Sequence, residues 1–235
     1  MAWRWARGLN TLTKDNDVFT SARLFAMQQY RDFLGREGDA GGIQFYDNLI
    51  TLGTSARANV IESFFNSPEF SGSVSPIARL YFAYFLRIPD YPGLQFQVNA
   101  YRTGTPLPVI ANNFTLSPEF QATYGSLDDP SFVSLLYQNI LGRTASQGEI
   151  DFHVARLTNG ETRGGVLVGF SESPEYQQLT AIDVFVTMMY VGMLRRAPEQ
   201  AGFDFWVNYM EGGNPRLSLI LGFLNAPEYR SRFLP

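Results

Sequence analysis

His153 is the only histidine of the chain, and imidazole is the side chain most often used for general acid–base work near neutral pH. Four glutamates, Glu69, Glu119, Glu175 and Glu228, supply carboxylates from which an acid–base pair could be drawn. Each of these glutamates, however, stands in the same short word, Ser-Pro-Glu-Phe/Tyr at Ser67, Ser117 and Ser173 and Ala-Pro-Glu-Tyr at Ala226. Carboxylates that occupy matching places in separate units do not converge on one substrate, so the word reads as scaffold. Its residues are those that open a helix: the hydroxyl accepts an orphaned amide, proline fits the first turn, and glutamate favours the positive helix end. Ala226 lacks the hydroxyl, which predicts a cap weaker by ~1 kcal/mol.

The other chemical candidates weaken in the same way. The positions matching His153 hold Tyr46, Gln97 and Trp206, an exchange that suits a half-exposed contact point better than a catalytic base. The glycine-rich run from Gly35 to Gly42 resembles a phosphate loop but is not followed by Lys-Ser/Thr and has no strand pattern beside it. Asp15, Asn16 and Asp17 could contribute to a calcium site, yet the glycine and distal glutamate of a calcium loop are missing, and a helix-capping loop is the better reading. The expectation is a protein that is not an enzyme and uses no metal or cofactor.

Positioning such side chains falls to a repeated unit. Tyrosines recur at Tyr30, Tyr81, Tyr137 and Tyr190, at intervals of 51, 56 and 53 residues, and six places after each lies an arginine: Arg36, Arg87, Arg143 and Arg196. Further on come an apolar residue, any residue and a phenylalanine: Ile43 and Phe45, Leu94 and Phe96, Ile150 and Phe152, Phe203 and Phe205. Another phenylalanine (Phe64, Phe114, Phe170, Phe223) precedes each Ser/Ala-Pro-Glu word by three residues. Apolar residues four apart flank each tyrosine, as in Val133-Tyr137-Leu141, so the tyrosine belongs to the buried stripe of a helix. The arginine just past that stripe suits the negative helix end, and its recurrence with the glutamate predicts an ion pair between them. The fold expected is all-α: four tandem three-helix repeats of about 53 residues, about twelve helices, each repeat completing its neighbour's core. The boundaries are an N-terminal arm over 1–17 and repeats over 18–72, 73–125, 126–180 and 181–235, with a hinge expected between Tyr124 and Phe132.

Composition narrows the partners. A formal charge of −4 over 235 residues gives no basic footprint for nucleic acid. There is no cysteine for a disulfide, a thiolate nucleophile or a cysteine-bound metal. No apolar run is long enough to span a bilayer, and the first residues do not form a secretory signal. The arm carries Trp3, Trp5, Leu9 and Leu12, aromatic and apolar residues that predict docking on the chain itself or on a neighbouring molecule.

The stretches Phe132–Arg143, Ala201–Gly213 and Gly169–Tyr176 resemble the bacterial family of unknown function DUF4214. The likeness runs from about Val18 to the end of the chain, with departures at Phe85–Gly93, at Gln97, where the family has tryptophan or tyrosine, and at Glu149, where it has glycine. Members are typically attached to secreted or cell-surface proteins, which implies an extracellular interaction role and transfers no catalytic residue. Repeat 3 is also locally similar to the linker domain of phycobilisomes. The function expected is a structural or assembly protein at the bacterial surface, joining copies of itself or other surface proteins into a filament, lattice or layer. The alternatives are a linker-type scaffold and a carbohydrate-binding module, whose glycan would meet Tyr46, Trp206, His153 and Asn208.

Overall fold

The computed structural model describes residues 17–53 and 56–233, and among them there are helices and no strand. The protein is all-α. After a short turn of helix at Asp17–Thr20, each repeat supplies four helices in the same order. The first helices are Ala22–Leu34, Ser75–Phe85, Asp129–Leu141 and Ala181–Met189, the last continued by a π turn at Tyr190–Leu194. The second are Ala40–Thr51, Tyr91–Arg102, Gln147–Thr158 and Gln200–Glu211, and the third Arg57–Phe65, Leu107–Thr115, Arg163–Ser171 and Arg216–Asn225. The fourth are short: Pro68–Ser73, Pro118–Tyr124, Pro174–Leu179 and Pro227–Ser231.

That fourth helix departs from the three-helix expectation. Proline disfavours helical geometry at the residue before it, so Ser117 and Ser173 are extended, with ψ of 146° and 145°. The third helix therefore stops and a new one starts. The hydroxyls of Ser67, Ser117 and Ser173 accept from the backbone N–H of Phe70, Phe120 and Tyr176 at 3.2, 3.2 and 3.1 Å. Ala226 makes no side-chain cap.

Inside each repeat the tyrosine of the first helix is buried and meets the phenylalanine of the third edge-on. Ring centroids lie 4.8 Å apart for Tyr30–Phe64, 5.0 Å for Tyr81–Phe114, 4.8 Å for Tyr137–Phe170 and 4.9 Å for Tyr190–Phe223. Edge-to-face contact sets the positive ring rim on the negative face, which holds the two helices at one angle four times over. Close approach also explains a glycine: a Cβ on Gly93 would lie 2.7 Å from the Tyr81 hydroxyl.

The repeats do not stack in chain order. Their described residues divide into a unit formed by 17–71 with 185–233, apart from 54–55, and a unit formed by 72–184, so repeat 1 pairs with repeat 4 and repeat 2 with repeat 3. This corrects the expected side-by-side array. In both units the third helices of the two repeats pack on each other. The stretch Tyr124–Phe132 lies inside the second unit and is no boundary: Arg163 donates to the carbonyls of Tyr124 and Leu127 at 3.2 and 2.6 Å and lies 4.6 Å from the Phe132 ring centre. A loop whose carbonyls are bonded from a neighbouring helix has no freedom to bend as a hinge. The arm residues Trp3, Trp5, Leu9 and Leu12 fall outside the described residues.

Candidate functional site

In repeats 1 to 3 the second helix starts on a side-chain cap and turns one face to the core, whereas in repeat 4 Glu199 makes no such cap. Asp39 and Asp90 each accept from the N–H three residues on at 2.8 Å, and Ser146 forms a reciprocal capping box with Glu149. Ile43 and Leu94 are buried, at 6% and 0% exposure. Two residues along a helix is a rotation of roughly 200°, so the next repeated phenylalanine must face outward. It does so in every repeat: Phe45, Phe96, Phe152 and Phe205 are 58%, 69%, 60% and 60% exposed. Four large apolar rings at one structural position are thus given to solvent, where burial of such a side chain would be worth ~1.5–3 kcal/mol.

The neighbouring position is the one chosen from sequence as a binding platform, and it faces inward. It stands three residues after the buried one and therefore shares its face. Tyr46 is half-buried, stacked on Phe64 at 5.0 Å and 28°, with its hydroxyl 3.1 Å from Ser63 Oγ. Trp206 is half-buried beside Phe223, with centroids 5.8 Å apart. His153 is buried, which corrects its reading as a half-exposed contact. Its ring lies over Phe170 at 4.9 Å, and burial, with the charge of Arg156 behind it, lowers its pKa below the ordinary value. Only Asn208 is exposed among these residues, on the face of Phe205, whose ring stacks on Tyr209 at 6.4 Å and 23°.

The arginines and glutamates form four equivalent clasps. Arg36 Nε donates to Glu69 at 2.6 Å, Arg87 Nε to Glu119 at 2.7 Å, Arg143 Nε to Glu175 at 3.0 Å and Arg196 Nε to Glu228 at 2.6 Å. In every clasp a second guanidinium nitrogen reaches the other carboxylate oxygen. The same guanidinium carbons lie 5.0, 5.9, 4.7 and 5.2 Å from the ring centres of Tyr30, Tyr81, Tyr137 and Tyr190. The forked guanidinium matches a carboxylate bidentately while stacking on an aromatic face. Each clasp thus ties the end of the first helix to the start of the fourth. These cations are spent on the chain's own carboxylates, which removes them as ligand hooks. In repeat 3 a second carboxylate joins: Glu149 accepts from Arg143 at 2.8 and 3.2 Å, and this pairing, with its bonds to Ser146, holds the Glu149 pKa down to about 2.

A cleft of about 110 Å³ opens beside that clasp, lined by Tyr137, Arg143, His153, Phe170 and Glu175 among others. Small-molecule sites usually enclose about 300–1,000 Å³, and the one cation here already faces two carboxylates. Among the described residues no three His, Asp or Glu side chains group as metal ligands. No helix among them is long and apolar enough to cross a membrane.

The model of the family described as Domain of unknown function (DUF4214) matches the chain over residues 14–74, 111–180 and 180–233. The chain belongs to the DUF4214 family. The unmatched interval of this DUF4214 protein, 75–110, contains the departures at Phe85–Gly93 and Gln97. There the left-handed position held by Gly35 and Gly142 in repeats 1 and 3 is held by Leu86, at φ 51°. No curated protein and no solved structure matches the chain. The local likeness of repeat 3 to phycobilisome linkers gains no support from these comparisons.

Proposed function

We propose that this DUF4214 protein is a non-catalytic assembly protein of the bacterial cell surface, self-associating into a filament, lattice or layer. The observation that carries the reading is the outward phenylalanine held at one position of all four repeats, Phe45, Phe96, Phe152 and Phe205. A fold that places the same apolar ring in water four times carries four equivalent contact points, and large exposed apolar groups mark interaction surfaces. The repeated arginines, engaged in the clasps, act as scaffold and leave the contact to the aromatic rings. Light scattering over a concentration series, with electron microscopy of the same fractions, tests this. Wild-type protein should gain mass with concentration, and replacement of all four phenylalanines by serine should abolish the gain while thermal stability holds. A wild-type chain that stays monomeric throughout sinks the reading.

The glycan alternative finds its best support at one place. Phe205 and Tyr209 present stacked rings with Asn208 between them in sequence on an exposed helix face. A sugar would then stack on Phe205, not Trp206, and Phe205→Ala, unlike Asn208→Ala alone, would remove binding in a glycan screen.

A further inference from the structure

The first unit is assembled from the two ends of the chain. Repeat 1 and repeat 4 are separated in sequence by the whole of 72–184, which forms the second unit from contiguous residues. Their junction is extensive. The third helices pack together, Phe65 meets Phe185 at 4.7 Å, and a Cβ on Gly192 would lie 2.6 Å from the Phe33 ring, so the two first helices touch backbone to side chain. Phe19 sits edge-on to both Tyr229 and Phe233, at 5.8 and 5.6 Å.

At the centre lies a buried charge. The side chain of Asp32 is fully enclosed and accepts from Arg232 Nη2 at 2.7 Å and from Gln28 at 2.8 Å. The Tyr229 hydroxyl lies 3.4 Å from the same carboxylate, and Arg232 also donates to the carbonyls of Gly192 and Met193. The repeat position of Asp32 holds Ala83 in repeat 2, and that of Arg232 holds Leu179 in repeat 3. Mispairing repeat 1 with repeat 3 would leave Asp32 buried without its arginine, at a cost of several kcal/mol. The polar pair therefore names repeat 4 as the partner of repeat 1. It does not specify which molecule that repeat 4 comes from.

We infer that repeat 4 of one molecule docks on repeat 1 of another, so that the chain exchanges its ends and joins head to tail. Opening breaks the chain where it leaves and re-enters the first unit: at Ser71–Gly72, in the last turn of the short helix Pro68–Ser73, and at Val184–Phe185, inside the helix Ala181–Met189, which must part there. Gly72 is exposed, with nothing within 4 Å of where its Cβ would stand. An opened molecule carries two complementary faces at its two ends, and a heterologous contact of that kind closes into rings or extends into filaments. The partner is a second molecule of this same chain. The inference rests on the assembly reading but uses a buried junction in place of the exposed phenylalanines, and the two fail separately.

The test refolds full-length chains bearing two different tags from denaturant, together, at low and at high concentration, in wild type and in the variant with all four exposed phenylalanines replaced by serine. End exchange predicts species of at least doubled mass after refolding at high concentration. These should contain both tags, persist on dilution and survive in the serine variant. Monomer at every refolding concentration overturns the exchange, and so do oligomers that vanish in the serine variant, which would support surface assembly instead. A second experiment co-refolds Asp32→Arg with Arg232→Asp, whose matched charges meet only across molecules. Mixed oligomers that neither variant forms alone are expected, with the double variant in one chain as the control that the reversed pair is tolerated. If the double variant folds and the mixture stays monomeric, exchange is excluded; if the double variant does not fold, the refolding series decides.

Discussion

The two units solve the same packing problem with different chemistry at their centres. Each joins two repeats through their third helices, but unit 1 encloses Asp32 completely while unit 2 relies on Arg79 and Glu172, paired at 2.9 Å with the glutamate side chain 25% exposed. Unit 2 also has its two repeats adjacent in sequence, whereas unit 1 must bring together residues 200 apart. Where connectivity already selects the partner, a partly wet ion pair suffices. Where it does not, a buried charge met by two arginines of repeat 4, Arg232 and Arg195, makes the selection, since an unpaired buried charge costs far more than a well-paired one contributes.

Removing one arginine from each unit separates these cases most sharply. Arg232→Ala removes the nearer of two cations from the enclosed Asp32, leaving Arg195 Nη2 at 3.8 Å, and should cost about 3 kcal/mol. Arg79→Ala leaves Glu172 able to reach water and should cost about 2 kcal/mol. Hydrogen exchange should show the loss confined to residues 17–71 and 185–233 in the first variant and to 72–184 in the second, and equal effects would dissolve the distinction between the two locks.

The capping words offer a smaller contrast. Ser173→Ala in unit 2 should lower stability by about 1 kcal/mol, read as a shift of a few degrees in melting temperature. Ala226→Ser in unit 1 should raise stability by a similar or lesser amount, because its helix starts without a side-chain acceptor. An unchanged melting temperature in both would mean that proline and glutamate alone set the fourth helix.

The smallest effect is the pH dependence that His153 gives to unit 2. Burial lowers the pKa of His153 below its ordinary 6.5, so on acidification the unfolded chain takes up this proton before the folded one. Stability from this group is complete above pH 6.5 and declines as pH falls toward the lower folded value. The clasp carboxylate Glu149 acts later, its contribution fading only as pH drops from the ordinary 4.5 toward about 2. His153→Gln, the residue found at Gln97, should flatten the first decline and leave the second, measured by denaturant unfolding at a series of pH values. A variant that keeps the full slope above pH 4.5 would assign it to another group.

Much of the local structure was legible in the residues. The clasp between Arg143 and Glu175 follows from the recurrence of both at a fixed spacing, and the buried tyrosines follow from the four-residue stripe around them. The exposed phenylalanines were equally legible and easily passed over: Ile43 and Phe45, two apart on a helix, cannot both face the core. That single step of helical geometry exchanges Tyr46 for Phe45 and Trp206 for Phe205 as the outward rings. The burial of His153 has the same origin, since it lies three residues after Ile150 and sides with it.

Repeat length, helical periodicity, caps and the Tyr–Arg–Glu set were determined by the sequence alone, because each depends on residues within one repeat of about 53 positions. Which repeats pair was decided only in the folded chain. Every repeat offers nearly the same apolar face, and apolar contact does not distinguish one partner from another; the choice between 1:4 and 2:3 and any other pairing falls to a few polar side chains, Asp32, Arg232, Arg79 and Glu172, whose meaning depends on what stands opposite them in space.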